Sequence, residues 1–278
     1  MNFQTAKVIV FDLDGTLYED THHFDYYAKL IEQLLPPDQQ SLFAAQYRAA
    51  LDNQHAVKIG RVYDAIRDLL LVQVDGEVLE AYHWDGTPLS EDSIAELYPE
   101  PITLDLTDMV SIGDQWWIPP VIARHMGIPP QLTYEQFEEV RRWMMGPDFI
   151  MQPVPGLAEE LTRLSRQRKL VLLTNSPQPD GEAILGKLGL SEVFDLKIFM
   201  GMKPMESQDH FRRLAERYDC SYDEMISIGD NWLNDIYEPR QLGCKTIFID
   251  WFGTGREDDA DAVVGSMREA LEILKTLQ

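Results

Sequence analysis

Four short, largely apolar runs rich in β-branched residues set the frame for this chain: Val-Ile-Val-Phe at 8–11, Leu-Val-Leu-Leu at 170–173, Met-Ile-Ser-Ile at 225–228 and Thr-Ile-Phe-Ile at 246–249. Runs of this length without regular polar alternation predict strands buried on both faces, as in a parallel sheet and unlike a sheet with one wet side. Helical patterns intervene at 157–168, 182–188, 208–218 and 232–242. Strand and helix therefore alternate from about residue 154 onward, the order of βαβ units.

The first run stands roughly 140 residues from the second, far beyond an ordinary strand-to-helix connection. An inserted domain over 19–151 explains the gap. Its pattern predicts helices at 23–35, 38–53, 120–126 and 134–145, and a β-hairpin in which 71–74 and 77–84 flank the turn Asp75-Gly76. Gly146-Pro147 through Pro153-Val154-Pro155-Gly156 reads as the return linker. The expected fold is α/β: a Rossmann-like three-layer core with a parallel sheet, formed by 1–18 and 152–278, plus an inserted, mainly α-helical domain containing a hairpin.

With 24 basic and 47 acidic residues, the formal charge of -23 disfavours nucleic acid and anionic membrane surfaces as partners. A small phosphorylated substrate stays compatible, because one lysine, a metal ion and backbone amides can make a locally positive pocket. The two cysteines, Cys220 and Cys244, lack metal-ligand or paired spacing and read as packing residues. No signal-like leader and no run long enough to span a bilayer is visible, so the expected location is cytoplasmic. Oligomeric state is not legible.

The residues with chemical potential fall at strand ends. Asp12 and Asp14 follow the first strand; two residues apart, their carboxylates can share one side, with Gly15 and Thr16 supplying a turn, a hydroxyl and exposed amides. Thr174 and Asn175 follow the run at 170–173, and Lys203-Pro204 follows a strand-like run at 196–200. Asp230 ends the strand 225–229, and Asp235 follows with Asn231 and Asn234 between. Taken singly, each has an ordinary reading as a turn, a helix cap or a solvated side chain. Together they occupy the carboxyl ends of strands, where open α/β sheets place their ligand crevice.

This set, hhhhDxDGT at 8–16, Thr174-Asn175, Lys203-Pro204 and GDxxxxD at 229–235, resembles the haloacid dehalogenase superfamily, phosphatase type, in the family's order. The resemblance covers about residues 1–18 and 152–278, and the insert stands where the family places its C1 cap. It implies Asp12 as nucleophile and Asp14 as general acid and then base. It further implies Thr174, Asn175 and Lys203 as phosphate binders, and Mg²⁺ held by Asp12, the backbone carbonyl of Asp14, and Asp230, with Asp235 and Thr16 in support. The implied activity is hydrolysis of a small phosphate ester through an aspartyl phosphate.

Asp14 argues against a dehalogenase and a phosphonate hydrolase. A phosphomutase of the β-phosphoglucomutase type and a non-catalytic binding protein remain as alternatives. Two departures are visible: Met205, Glu206 and Ser207 replace the usual continuation after Pro204, and the insert is larger than a simple helical cap. Tyr18, His22, His23, Trp84, Trp116, Trp117, Arg124 and His125 read as packing or surface residues. Ser-Ile-Gly-Asp occurs at both 111–114 and 227–230; the first copy is expected outside any strand–helix unit, and the repeat is read as coincidence.

Overall fold

The structure, a computed structural model, describes residues 3–105, 107–254 and 260–278. It divides into two compact units, Met1–Asp20 with Trp143–Gln278, and Thr21–Arg142. In chain order the first strand, β1 (Val8–Phe11), is followed by α1 (His22–Glu32), α2 (Pro37–Leu51), β2 (Val62–Asp64), β3 (Leu69–Val74), β4 (Glu77–Tyr82), α3 (Glu91–Leu97), β5 (Met109–Ser111), α4 (Ile118–His125) and α5 (Pro130–Met145). The chain then forms α6 (Leu157–Leu164), β6 (Lys169–Leu173), α7 (Gln178–Leu188), β7 (Leu196–Ile198), α8 (Ser207–Tyr218), β8 (Met225–Gly229), α9 (Glu238–Gln241), β9 (Lys245–Ile249), β10 (Ala262–Val264) and α10 (Met267–Lys275).

Among the described residues, the first unit holds a six-stranded sheet in the order β10-β9-β8-β1-β6-β7, parallel throughout. All four residues of β1 are buried, as the unbroken apolar run requires. Val8 and Val10 join Val171, Leu173 and Met225 in a cluster closed by Phe211 and Leu214 of α8, while Ile9 and Phe11 point to the opposite face and are equally buried. Each such fully buried side chain contributes on the order of 1.5–3 kcal/mol. Pairing β1 between β6 and β8 sets three strand ends side by side: Phe11 lies opposite Leu172 on one side and Ile228 on the other. Cys220 and Cys244 are free thiols that pack at this cluster.

The α/β architecture expected from the sequence is present, with differences in detail. The helix expected over 232–242 is a π-helical segment, Trp232–Tyr237, that passes into α9. Pro239 explains the break, because it has no N–H to continue an α ladder through this stretch. The final pair, β10 and α10, had no counterpart among the sequence expectations.

In the second unit the expected hairpin is there, β3 and β4 joined at Asp75-Gly76, but it belongs to a four-stranded antiparallel sheet, β4-β3-β2-β5. The two added strands are three residues each, too short to show a periodicity. His23 is fully buried against Phe24 and Trp116, rather than on the solvated face expected for a lone histidine, and His125 stacks on Trp84 with its Nδ1 2.9 Å from Asp68. The first Ser-Ile-Gly-Asp corrects the sequence reading: it does sit in a strand-to-helix turn, leaving β5, with the Asp114 side chain accepting from Trp116 N at the next helical turn.

Two segments lead out of and back into the first unit. Tyr18 forms an antiparallel bridge with Pro153, and the Asp20 carboxylate accepts from Gln152 N at 2.9 Å. Lys187 Nζ donates to the carbonyls of Met144, Gly146 and Phe149, at 2.7, 2.6 and 2.7 Å, fixing the returning segment to α7. Among the described residues no helix is long and apolar enough to cross a membrane.

Candidate active site

The ends of β1, β6 and β8 bring Asp12, Thr174 and Asp230 to one edge of the sheet. Asp12 N still donates to Ile228 O at 3.0 Å, so its position is set by the ladder; beyond it the chain turns helically, Leu17 N donating to Leu13 O. Gly15 has φ +79, and a Cβ there would lie 2.2 Å from Asp230 Oδ2. Glycine is therefore required twice over, by the left-handed backbone and by the close approach of Asp230. Trp251 Nε1 donates to Gly15 O at 2.8 Å and fixes the same turn from the end of β9.

Lys203 joins the charges. It is 5% exposed, and its Nζ lies 2.8 Å from Asp12 Oδ1 and 2.5 Å from Asp235 Oδ1. Its backbone is held by Asn175, whose side-chain nitrogen donates to Lys203 O at 3.0 Å and whose oxygen accepts from Lys203 N at 2.8 Å. The amide expected to grip phosphate is thus largely committed to positioning the lysine. Thr174 is buried and its Oγ1 accepts from Ser176 N at 3.0 Å, the strand-end turn that its residue type allows; the hydroxyl proton is not used in that bond.

Asp12, Asp230 and Asp235 can bring carboxylate oxygens within 4.8 Å of one another. Asp235 is oriented by Asn231 N, 3.2 Å from its Oδ2, as well as by Lys203. The cap of the π-helical segment is supplied by Asn231, which accepts from Asn234 N, so the capping role weighed for Asp230 falls to its neighbour. Thr16 is buried, with Oγ1 3.4 Å from both Asp12 Oδ2 and Asp230 Oδ1; one hydroxyl proton can serve only one of them at a time.

The electrostatics follow from this crowding. Burial above all raises the Asp12 carboxyl, Lys203 pulls it down, and the neighbouring Asp235 and Asp14 push it up, leaving it at about 7. Burial acts against the Lys203 charge, yet the Asp12 and Asp235 carboxylates outweigh it and hold the ammonium above its ordinary range. Three carboxylates around one ammonium leave negative charge uncompensated, and the donor set is all oxygen. That is the chemistry of a hard divalent cation such as Mg²⁺.

Two further side chains bond the Asp14 carboxylate without having been singled out as site residues. Tyr18 Oη donates to Asp14 Oδ1 at 2.7 Å, and Ser176 Oγ donates to Asp14 Oδ2 at 2.5 Å. For Tyr18 the available signal was its spacing, four residues after Asp14, which a helical turn converts into contact. For Ser176 it was a second hydroxyl two residues after Thr174 at the same strand end.

A profile of the haloacid dehalogenase-like hydrolases matches residues 6–243, most of the chain, and the protein belongs to that hydrolase family. A glyceraldehyde 3-phosphate phosphatase from Pyrococcus furiosus is 26% identical over 138 residues, which are 45% of this chain and 55% of that protein. The chain thus matches about half the length of this curated relative. Among solved structures, the HAD-hydrolase YfnB from Bacillus subtilis, determined bound to magnesium, aligns over 97% of this chain and 99% of its own at 15% identity and TM-score 0.53. A predicted phosphoglycolate phosphatase from Haemophilus somnus aligns over 97% and 98% at 17% identity and TM-score 0.54. At these identities the structural likeness speaks for the fold.

Proposed function

We propose that this hydrolase is a Mg²⁺-dependent phosphohydrolase acting on a small phosphorylated metabolite through an aspartyl-phosphate intermediate. The observation that carries the reading is the meeting of Asp12, at the end of β1, with one buried lysine and two further carboxylates, Asp230 and Asp235. The phosphatase relative from Pyrococcus furiosus supports the substrate class.

Asp12 is the nucleophile: a carboxylate oxygen attacks phosphorus in line, the bond to the ester oxygen breaks, and that oxygen takes a proton from Asp14. Asp14, now a carboxylate, then accepts a proton from the water that attacks the aspartyl phosphate; phosphate leaves and Asp12 is regenerated. Lys203 offsets charge on the transferring group, and Thr174 donates its hydroxyl to a phosphate oxygen. Asn175 acts chiefly by holding Lys203 in place. Asp12, Asp230 and the backbone carbonyl of Asp14 would hold Mg²⁺, which would supply positive charge to offset that of the transferring phosphoryl group. Asp235 keeps Lys203 directed at Asp12, and Thr16 supports Asp12 and Asp230.

The test is phosphate release from a panel of small phosphate esters by wild type and Asp12→Asn, with Mg²⁺ and with EDTA. Release that needs metal and disappears in the variant is expected. No release from any ester would overturn the reading, and slow release dependent on a bisphosphate activator would replace it with a phosphomutase.

A further inference from the structure

Asp14 differs from Asp12 and Asp235 in what holds it. Asp12 and Asp235 face an ammonium group, whereas each oxygen of Asp14 receives a hydroxyl: Tyr18 on Oδ1 and Ser176 on Oδ2. The two donors arrive from different parts of the fold. Ser176 follows β6, and its backbone is fixed there, the N–H on Thr174 Oγ1 and the carbonyl accepting from Met200 N. Tyr18 follows β1 by way of the helical turn and is fully buried, so packing holds its ring and the hydroxyl cannot swing away.

Tyr18 also lies near the point where the chain leaves the first unit after Asp20: its backbone is bridged to Pro153 on the returning segment, with Asp20 tied to Gln152 two residues on. One residue therefore joins the crossing segments, through its backbone, to the carboxyl group two residues beyond the nucleophile, through its hydroxyl. Phenylalanine would fill the same space with no hydroxyl to satisfy, so packing alone does not account for a tyrosine here.

We infer that Tyr18, together with Ser176, is a positioning residue that aligns the Asp14 carboxyl for proton transfer to the leaving group; the inference rests on the phosphohydrolase reading. An acid that must meet a departing oxygen within hydrogen-bond reach gains from a fixed rotamer: the two hydroxyls hold the carboxylate in one, and when Asp14 carries the proton on one oxygen the other still accepts its hydroxyl. Tyr18 does not touch the substrate in this scheme. Its effect passes through Asp14 and is felt in proportion to the leaving group's need for a proton.

That proportion supplies the test. With Mg²⁺, kcat/KM is measured for wild type, Tyr18→Phe, Ser176→Ala and Asp14→Asn on p-nitrophenyl phosphate, whose leaving group departs as a stable anion, and on a primary alkyl phosphate, whose leaving group needs the proton. For Tyr18→Phe the alkyl ester should lose roughly 10–100-fold and the aryl ester less than about 3-fold, with Ser176→Ala moving in the same direction and Asp14→Asn showing the widest split. Equal losses on both esters, or none, would overturn the inference while leaving the function intact, since the wild type and Asp12→Asn report on the function separately.

A wild type silent on every ester would overturn both. The contact itself is read without substrate by a double-mutant cycle on Tyr18→Phe and Asp14→Ala in urea unfolding. Coupling of about fivefold or more in the unfolding constant is expected, and additivity would show that the hydroxyl and the carboxyl do not interact.

Discussion

Ser-Ile-Gly-Asp ends two strands of this molecule, and the two copies have different fates. At 111–114 it leaves β5, an edge of the antiparallel sheet, and Asp114 caps the helical turn that follows. At 227–230 it leaves β8, next to β1 in the parallel sheet; capping passes to Asn231, and Asp230 joins Asp12 and Asp235. The tetrapeptide specifies the same local event twice, a strand, a tight turn and the start of a helix. The neighbouring strand decides whether its carboxylate meets backbone amides or other carboxylates.

The largest expected effect separates the two aspartates by activity. On the proposed mechanism, Asp230→Ala should lower metal-dependent phosphate release by on the order of 10³-fold, because it would remove a ligand from the cation that offsets phosphoryl charge. Asp114→Ala should leave turnover within about 2-fold of wild type. Comparable losses in both variants would erase the distinction drawn between the copies.

A second comparison uses pH. Burial and neighbouring carboxylates raise Asp12 to about 7, so the folded, metal-free chain holds a proton that the unfolded chain releases near pH 4. More protons bound in the folded state means that stability falls as pH rises from about 4 to about 7 and is level beyond. Asp12→Asn lacks this titration, so its stability relative to wild type should climb across that window in urea melts without metal. Mg²⁺ should stabilise wild type more at pH 8 than at pH 5. Parallel profiles for the two proteins would show that the crowding at Asp12 is relieved in some other way.

The smallest effect is on stability alone. Without metal, Asp114→Ala should destabilise by about 1 kcal/mol through the lost cap. Asp230→Ala should be neutral or stabilising under the same conditions, since it takes one charge out of an acidic cluster. Calorimetry on the two variants side by side reads the sign, and a clear destabilisation by Asp230→Ala would assign that residue a structural task.

Much of the parallel sheet was legible because a strand buried on both faces must be apolar throughout, and four such runs stand in the sequence. Strands β2, β5 and β10, three residues each, left no trace, since their pairing is non-local and the segments are shorter than any period. Asp12, Asp14, Lys203, Asp230 and Asp235 could be picked as candidates along the chain because they stand in the motif order of the family that the sequence resembles, and the fold brings Asp12, Asp230 and Asp235 together around Lys203. Asn175 could be named but not understood: only the folded chain shows its amide engaged with the Lys203 backbone.

What the sequence determined by itself is local and compositional: which runs are buried, where turns need glycine, and which strand ends carry acids, hydroxyls and a lysine. Partnership was decided by the tertiary structure. Tyr18 looked like one more apolar ring, and it took the turn after β1 and the end of β6 to place two hydroxyls on the two oxygens of Asp14. The physical reason is range. Burial and turn preferences act within a few residues and can be read along the chain, whereas a hydrogen bond between residues 14 and 176 exists only after strand pairing has brought their strand ends together.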